Sequence, residues 1–155
     1  MSSSNLIQRL YGADESSVGE AGITQSARRT VMRFRAGEAI TAKDAVSLDL
    51  SQSDDGDKAM VVVKADTGTP ADSCFIGIAL TTTSAAGEFI DVVTAGVAEA
   101  NTAASAVGKM LVIGGTAGRL QDIADGATEM QQHCAIACEA HTGNVSTVIV
   151  LGQGL

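Results

Sequence analysis

The sequence predicts a mainly β chain, a compact sandwich or barrel with a short helix at most, preceded by an extended N-terminal arm. Three observations carry that expectation. The apolar residues are nearly all Ala, Val, Ile and Leu, with no Trp, one Tyr (Tyr11) and three Phe (Phe34, Phe75 and Phe89). Gly reaches 17 and Pro only one, Pro70. Short runs of β-branched residues recur from residue 30 onward, divided by turn residues, which is the pattern of a sandwich or barrel.

Residues 1–29 differ from the rest. Residues 5–11 (NLIQRLY) suit one helical turn or a contact strip, and residues 12–22 are polar and rich in Gly, Ser and Glu. Nothing here buries a face by itself, so the segment reads as an arm that orders on docking. A tail without a role is the plainer alternative. Leu6, Ile7, Leu10, Tyr11 and Ile23 make the arm more apolar than such a tail requires.

The β domain is expected over residues 30–155. Residues 30–35 (TVMRFR) alternate, with Val31, Arg33 and Arg35 on one face and Met32 and Phe34 on the other. Further strands are expected at 45–50, 59–64, 75–81, 88–94, 109–113, 121–124, 134–139 and 145–151. Turn residues divide them: Asp54-Asp55-Gly56-Asp57, Asp66-Thr67-Gly68-Thr69-Pro70, Ala86-Gly87, Gly114-Gly115, Asp125-Gly126 and Thr142-Gly143-Asn144. Residues 98–106 (AEANTAASA) read as a short helix or a connecting loop.

The two halves of this domain resemble one another. Residues 45–48 match 110–113, 64–66 match 123–125, 74–79 match 134–139 and 87–96 match 143–152. The offsets run from 65 to 56 residues, and two such halves could close into a pseudo-symmetric barrel or sandwich. Chance similarity between Ala/Val/Gly-rich strands is the competing explanation.

Charge restricts the partners. The net charge is −8, unevenly spread. Residues 1–35 hold five arginines against three acids, a net of +2, and residues 36–155 hold five basic against fifteen acidic residues, a net of −10. An acidic body does not suit phosphate contacts, so no nucleic acid is expected as its partner. The arm suits an acidic protein surface. No apolar run approaches a membrane span, and no signal-peptide pattern follows Met1, so neither a membrane partner nor secretion is expected. Three cysteines without framework spacing read as reduced thiols of a protein made in a cytoplasm.

Catalytic and cofactor chemistry finds little support. His133, Cys134, Cys138 and His141 are residue types that bind zinc, but a strand over 134–138 would hold the two thiols roughly 13 Å apart. Cysteines as small buried hydrophobes sharing a face with Ile136 are the simpler account. The acidic loop 53–57 lacks the ligand spacing of a calcium loop and reads as an Asp-Gly hairpin turn. Residues 114–118 lack the Lys-Ser/Thr of a phosphate loop. There is no G-x-S-x-G elbow. The expectation is a non-enzyme with no metal, no cofactor and no catalytic residues.

The run Phe34-Arg35-Ala36-Gly37-Glu38-Ala39-Ile40-Thr41-Ala42-Lys43-Asp44-Ala45-Val46-Ser47-Leu48 resembles the opening of small phage head proteins. An acidic hairpin and a Lys64-Ala65-Asp66 strand follow. Then come Phe75-Ile76-Gly77-Ile78-Ala79-Leu80, a Gly turn, and Val92-Val93-Thr94-Ala95-Gly96. The group is similar to the lambda-type capsid decoration (cement) proteins of tailed bacteriophages. The resemblance covers residues 34–97 and, through the duplication, less of the remainder. It implies a β-tulip-like fold, a homotrimer on the capsid exterior at three-fold positions, and an arm that docks on the major capsid protein. Leu6, Ile7, Tyr11, Val31 and Phe34 are then the candidate apolar anchors. Arg28, Arg29, Arg33 and Arg35 are the candidates for pairing with acidic capsid groups, or alternatively a charged strand edge that resists aggregation. The long arm and extended second half depart from the family pattern. The rival expectations are a fibre base or tail component and, with few aromatics to support it, a host-surface or carbohydrate-binding module.

Overall fold

The computed structural model describes residues 29–68, 74–103, 105–123 and 132–152. These form β1 (Arg29–Ala36), β2 (Ala45–Leu48), α1 (Asp55–Met60), β3 (Val61–Lys64), β4 (Phe75–Ala79), β5 (Phe89–Asn101), β6 (Met110–Ile113), β7 (Leu120–Asp122), β8 (Ala135–Ala137) and β9 (Val145–Val150). The mainly β expectation holds, and the architecture is a barrel rather than a sandwich.

Five strands close the first barrel. β1 pairs antiparallel with β5 and parallel with β3, and β3, β2, β4 and β5 follow as antiparallel neighbours. The sheet then continues from β5 through β9, β8 and β6 to β7. This second series mirrors the first. β6 pairs with β7 and β8 as β2 pairs with β3 and β4, and β8 pairs with β9 as β4 pairs with β5.

The counterpart of β1 in the second series is the C-terminal half of β5. Residues 96–101 pair antiparallel with β9, and Thr102 makes a parallel bridge to Leu120 of β7. Two five-stranded arrangements, barrel 1 and barrel 2, therefore share one strand of 13 residues.

The registers repeat residue by residue. Phe34 opposite Ile90 becomes Ala100 opposite Ser146, and Ala45 opposite Ile78 becomes Met110 opposite Ile136. Ile78 opposite Val93 becomes Ile136 opposite Ile149, and Leu48 opposite Val62 becomes Ile113 opposite Leu120. Backbone hydrogen bonds outside the strands repeat as well. The Gly37 N–H donates to Val62 O and the Ala103 N–H to Leu120 O, both at 2.8 Å. The Lys43 N–H donates to Ala79 O at 2.7 Å and the Gly108 N–H to Ala137 O at 2.8 Å. Lys43 and Gly108 share the same left-handed φ of 77°.

These pairings correct the offsets read from sequence. β2 maps onto β6 and β5 onto β9 as expected. β3 onto β7 and β4 onto β8 both map at 58 residues, where the sequence alignment placed them one and two residues further on. Small Ala/Val/Gly strands slide against one another at little cost in similarity, and only the ladder fixes which slide is real.

Barrel 1 is filled by Phe34, Ile40, Val46, Leu48, Val62, Ile76, Ile90 and Val92, all buried. Barrel 2 is filled by Ala98, Ala100, Leu111, Ile113, Leu120, Cys134, Val148 and Val150. Interiors of small barrels are side chains, not cavities. At Gly77 the β2–β4 register shifts by one residue, and a Cβ there would overlap Val93 O and Val92 Cγ1. Glycine is what lets β4 and β5 approach at that point.

Three local expectations are corrected. Residues 98–101 are neither helix nor loop but the shared strand, because Ala98 and Ala100 face the barrel 2 interior. The Asp-Gly hairpin turn is instead the start of α1. The Asp54 side chain caps that helix, accepting from the Gly56 N–H at 2.8 Å and the Asp57 N–H at 3.3 Å. Finally, Cys134 and Cys138 do not share a face: Cys134 is buried and Cys138 exposed. The Cys134 N–H donates to Leu111 O at 2.8 Å, on the residue that Ala135 already opposes, so the alternation breaks there.

Candidate interaction surface

β1 is the site candidate the sequence singled out, and its two halves behave differently. Its C-terminal end, Arg35 and Ala36, pairs with β3 on one side and its whole length pairs with β5 on the other. Among the described residues, Arg29 through Phe34 have ladder partners only in β5. One backbone edge of this stretch is open. Val31 is 43% exposed and Met32 41% exposed, although they point to opposite faces of the strand. Met32 stands on the inward face, where the expected alternation placed it, but at a barrel mouth that β3 does not cover.

Phe34 is a correction. It is 3% exposed and packs in the barrel 1 core, so its side chain is not on the surface where an anchor would stand. Arg33 and Arg35 are engaged within the chain. Arg33 Nε donates to Asp91 Oδ1 at 2.8 Å and Arg33 Nη2 to Asp91 Oδ2 at 3.2 Å, a two-point pairing across β1 and β5. Hydrogen bonding from Arg33 holds the Asp91 carboxyl below its ordinary range. Arg35 Nη2 donates to Asp57 Oδ1 at 2.6 Å, tying β1 to α1. Both pairs are at least partly exposed, where such contacts contribute little to stability. Arg29, at the start of β1, is half-exposed and lines a cleft at the junction of the barrels with Lys43, Leu80 and Glu99. Lys43 Nζ reaches Glu99 Oε2 at 2.7 Å across that junction. Leu6, Ile7, Tyr11 and Arg28 lie outside the described residues.

Sequence reading missed several exposed apolar side chains. Phe89, beside Arg35 in the ladder, is 71% exposed, and Leu50, Met60 and Val107 are also exposed. No periodicity marks them, since each stands at the end of a strand or helix or in a turn. Phe89 had a signal in its type, because an aromatic next to a turn glycine in a chain this poor in aromatics is unusual.

The other candidate cluster disperses. Cys134 is buried, and desolvation pushes its thiol up to about 12, away from the reactive thiolate form. The His141 N–H donates to Ser105 O at 3.1 Å, and His133 is exposed. Among the described residues no three His, Cys, Asp or Glu side chains stand close enough to share an ion, and no helix is long and apolar enough to cross a membrane.

No protein-family model matches the chain, and no curated protein matches it. Among solved structures it is similar to the head fibre gp8.5 N base of bacteriophage phi29, at 16% identity and a TM-score of 0.48, over 79% of this chain and 94% of that one. A likeness at that level fixes neither fold nor role.

Proposed function

We propose that this chain is a structural protein of a tailed-phage virion that binds the outside of the capsid, bridges major capsid protein subunits and works as a homotrimer. The open edge of β1 is the observation that carries the reading. It begins at Arg29, among the described residues its backbone from Arg29 to Phe34 has a strand partner on one side only, and it is flanked by the exposed side chains of Val31 and Met32. An extended segment of a capsid subunit adding to that edge would gain main-chain hydrogen bonds. Barrel 1 also spans the residues that carry the decoration-protein resemblance, with α1 where that resemblance expects an acidic hairpin.

The arm fits this role energetically. Ordering an arm costs about 1–2 kcal/mol per residue in backbone entropy, which a capsid contact must offset. Bridging several capsid subunits from one trimer multiplies modest contacts through avidity.

The test is binding to expanded capsids stripped of decoration, by the full chain and by a version beginning at Arg29. Saturable binding that is lost on truncation supports both the role and the arm. Equal binding by both forms keeps the role and discards the arm. Absence of binding by either form removes the capsid reading and moves the search to fibre or tail partners.

A further inference from the structure

The two barrels carry matching apolar rows on their outer faces, and among the described residues the barrel 1 row is buried at four of its five positions while the barrel 2 row is fully buried at none. In barrel 1 the row runs across β3, β2, β4, β5 and β1 as Ala65, Ala45, Ile78, Val93 and Val31. These are joined by the Ala65 N–H donating to Ala45 O at 2.9 Å and by ladder pairing. Ala65, Ala45 and Val93 are fully buried and Ile78 is 1% exposed, and only Val31, at the β1 end of the row, stays open at 43%. They belong to one cluster with Ala98, Leu120 and Val150 of barrel 2. The covering segment is the turn between β6 and β7. Gly118 O accepts from the Ala45 N–H at 2.8 Å, and the Gly118 N–H donates to Ala65 O at 2.9 Å.

The matching row of barrel 2 is Ile123, Met110, Ile136, Ile149 and Val97. It is joined in the same way, with the Ile123 N–H donating to Met110 O at 3.1 Å. All five residues are apolar, and Ile123 and Met110 are larger than the alanines they replace. Yet Ile149 is 41% exposed and the other four are only partly buried. Among the described residues nothing occupies the place that the β6–β7 turn fills on barrel 1.

We infer that this row is a docking face for a second copy of the chain, covered in trans as its counterpart is covered in cis. The covering part follows from the repeat. The equivalent of the β6–β7 turn in barrel 1 is the connection between β2 and β3, and that connection exposes Leu50 and Met60, at 44% and 52%. Seating that connection on the row of the next copy makes a head-to-tail contact, which closes into a ring when the rotation permits. The inference rests on the self-association in the reading above and is independent of its capsid part.

The experiment measures the mass of the purified full chain in solution by sedimentation equilibrium. Far-UV circular dichroism and cooperative melting verify folding of every variant. The wild type should be a defined oligomer. The face variant, Ile136→Asp with Ile149→Asp, should be a monomer, as should the connection variant, Leu50→Asp with Met60→Asp. Each retains one intact half of the contact, so an equimolar mixture of the two should form a dimer and nothing larger. A monomeric wild type would overturn both the inference and the self-association on which it rests. A face variant with wild-type mass would overturn the inference while leaving self-association standing. So would a mixture that stays monomeric, or association lost only when residues 1–28 are removed.

Discussion

Barrel 1 and barrel 2 share a backbone plan and differ in what fills it. Where barrel 1 places Phe34, Ala36, Ile40 and Ile90, barrel 2 places Ala100, Thr102, Ser105 and Ser146. The first set is a sealed apolar barrel end. The second is a buried hydroxyl cluster in which Ser146 Oγ lies 3.0 Å from Thr102 Oγ1 and 2.5 Å from Ser105 Oγ. Ser146 and Thr102 are fully buried. The same ladder thus accommodates an apolar or a polar filling, and in the polar one the three hydroxyls partner one another.

The sharpest way to break the comparison is Phe34→Ala, which gives barrel 1 the residue barrel 2 already has at Ala100. Deleting a buried Phe should cost about 3–5 kcal/mol, measured by urea unfolding. Because β5 is a wall of both barrels, the loss should appear in one cooperative transition. Two separate transitions would show that the barrels are independent units. Next in size is Ser146→Ala. It leaves the Thr102 and Ser105 hydroxyls without their shared partner and should cost about 1–3 kcal/mol in the same measurement. A neutral result would mean that the cluster is not cooperative. Smaller still is Gly108→Ala. The site has open space but a φ of 77°. The expected loss is about 1 kcal/mol, the cost that barrel 1 already carries at Lys43 in the same conformation.

The smallest expected effect is one of pH. Glu88 is held below its ordinary range by the Ser84 N–H and hydroxyl, and Glu139 by the Thr147 hydroxyl and N–H. Both carboxyls are depressed in the folded state. Their contribution is therefore complete above the ordinary value of 4.5 and is lost as pH falls through their folded values. Melting temperature should be flat from pH 7 to about 5 and fall below that. Glu88→Gln and Glu139→Gln should each flatten part of the acid limb. An unchanged limb in either variant would show that its carboxyl is not involved.

Most strands were legible because their cause is local. Residues 30–35 alternate, residues 145–150 are β-branched except for Ser146, and the Gly143-Asn144 turn has few other uses. Residues 98–101 misled because alanine favours a helix in isolation, and only the interior of barrel 2 makes a strand of them. The candidate site was legible in part. Arg33 and Arg35 were placed correctly on the outward face, but their partners Asp91 and Asp57 lie 58 and 22 residues away in sequence, beyond any local pattern. The exposed row of barrel 2 could not be read, because its members touch only across four ladders.

Sequence by itself determined that this chain is built of short strands and that its body is acidic, and it offered a repeat of the first half in the second with chance similarity as the rival. Those properties reside in residue type, period and count. Tertiary structure alone decided that β5 belongs to both barrels, that the repeat runs at 58 residues for β3 and β4, and that one apolar row is covered while its twin is not. The physical reason is that a period-two pattern says which residues share a face, whereas register and closure say what that face meets.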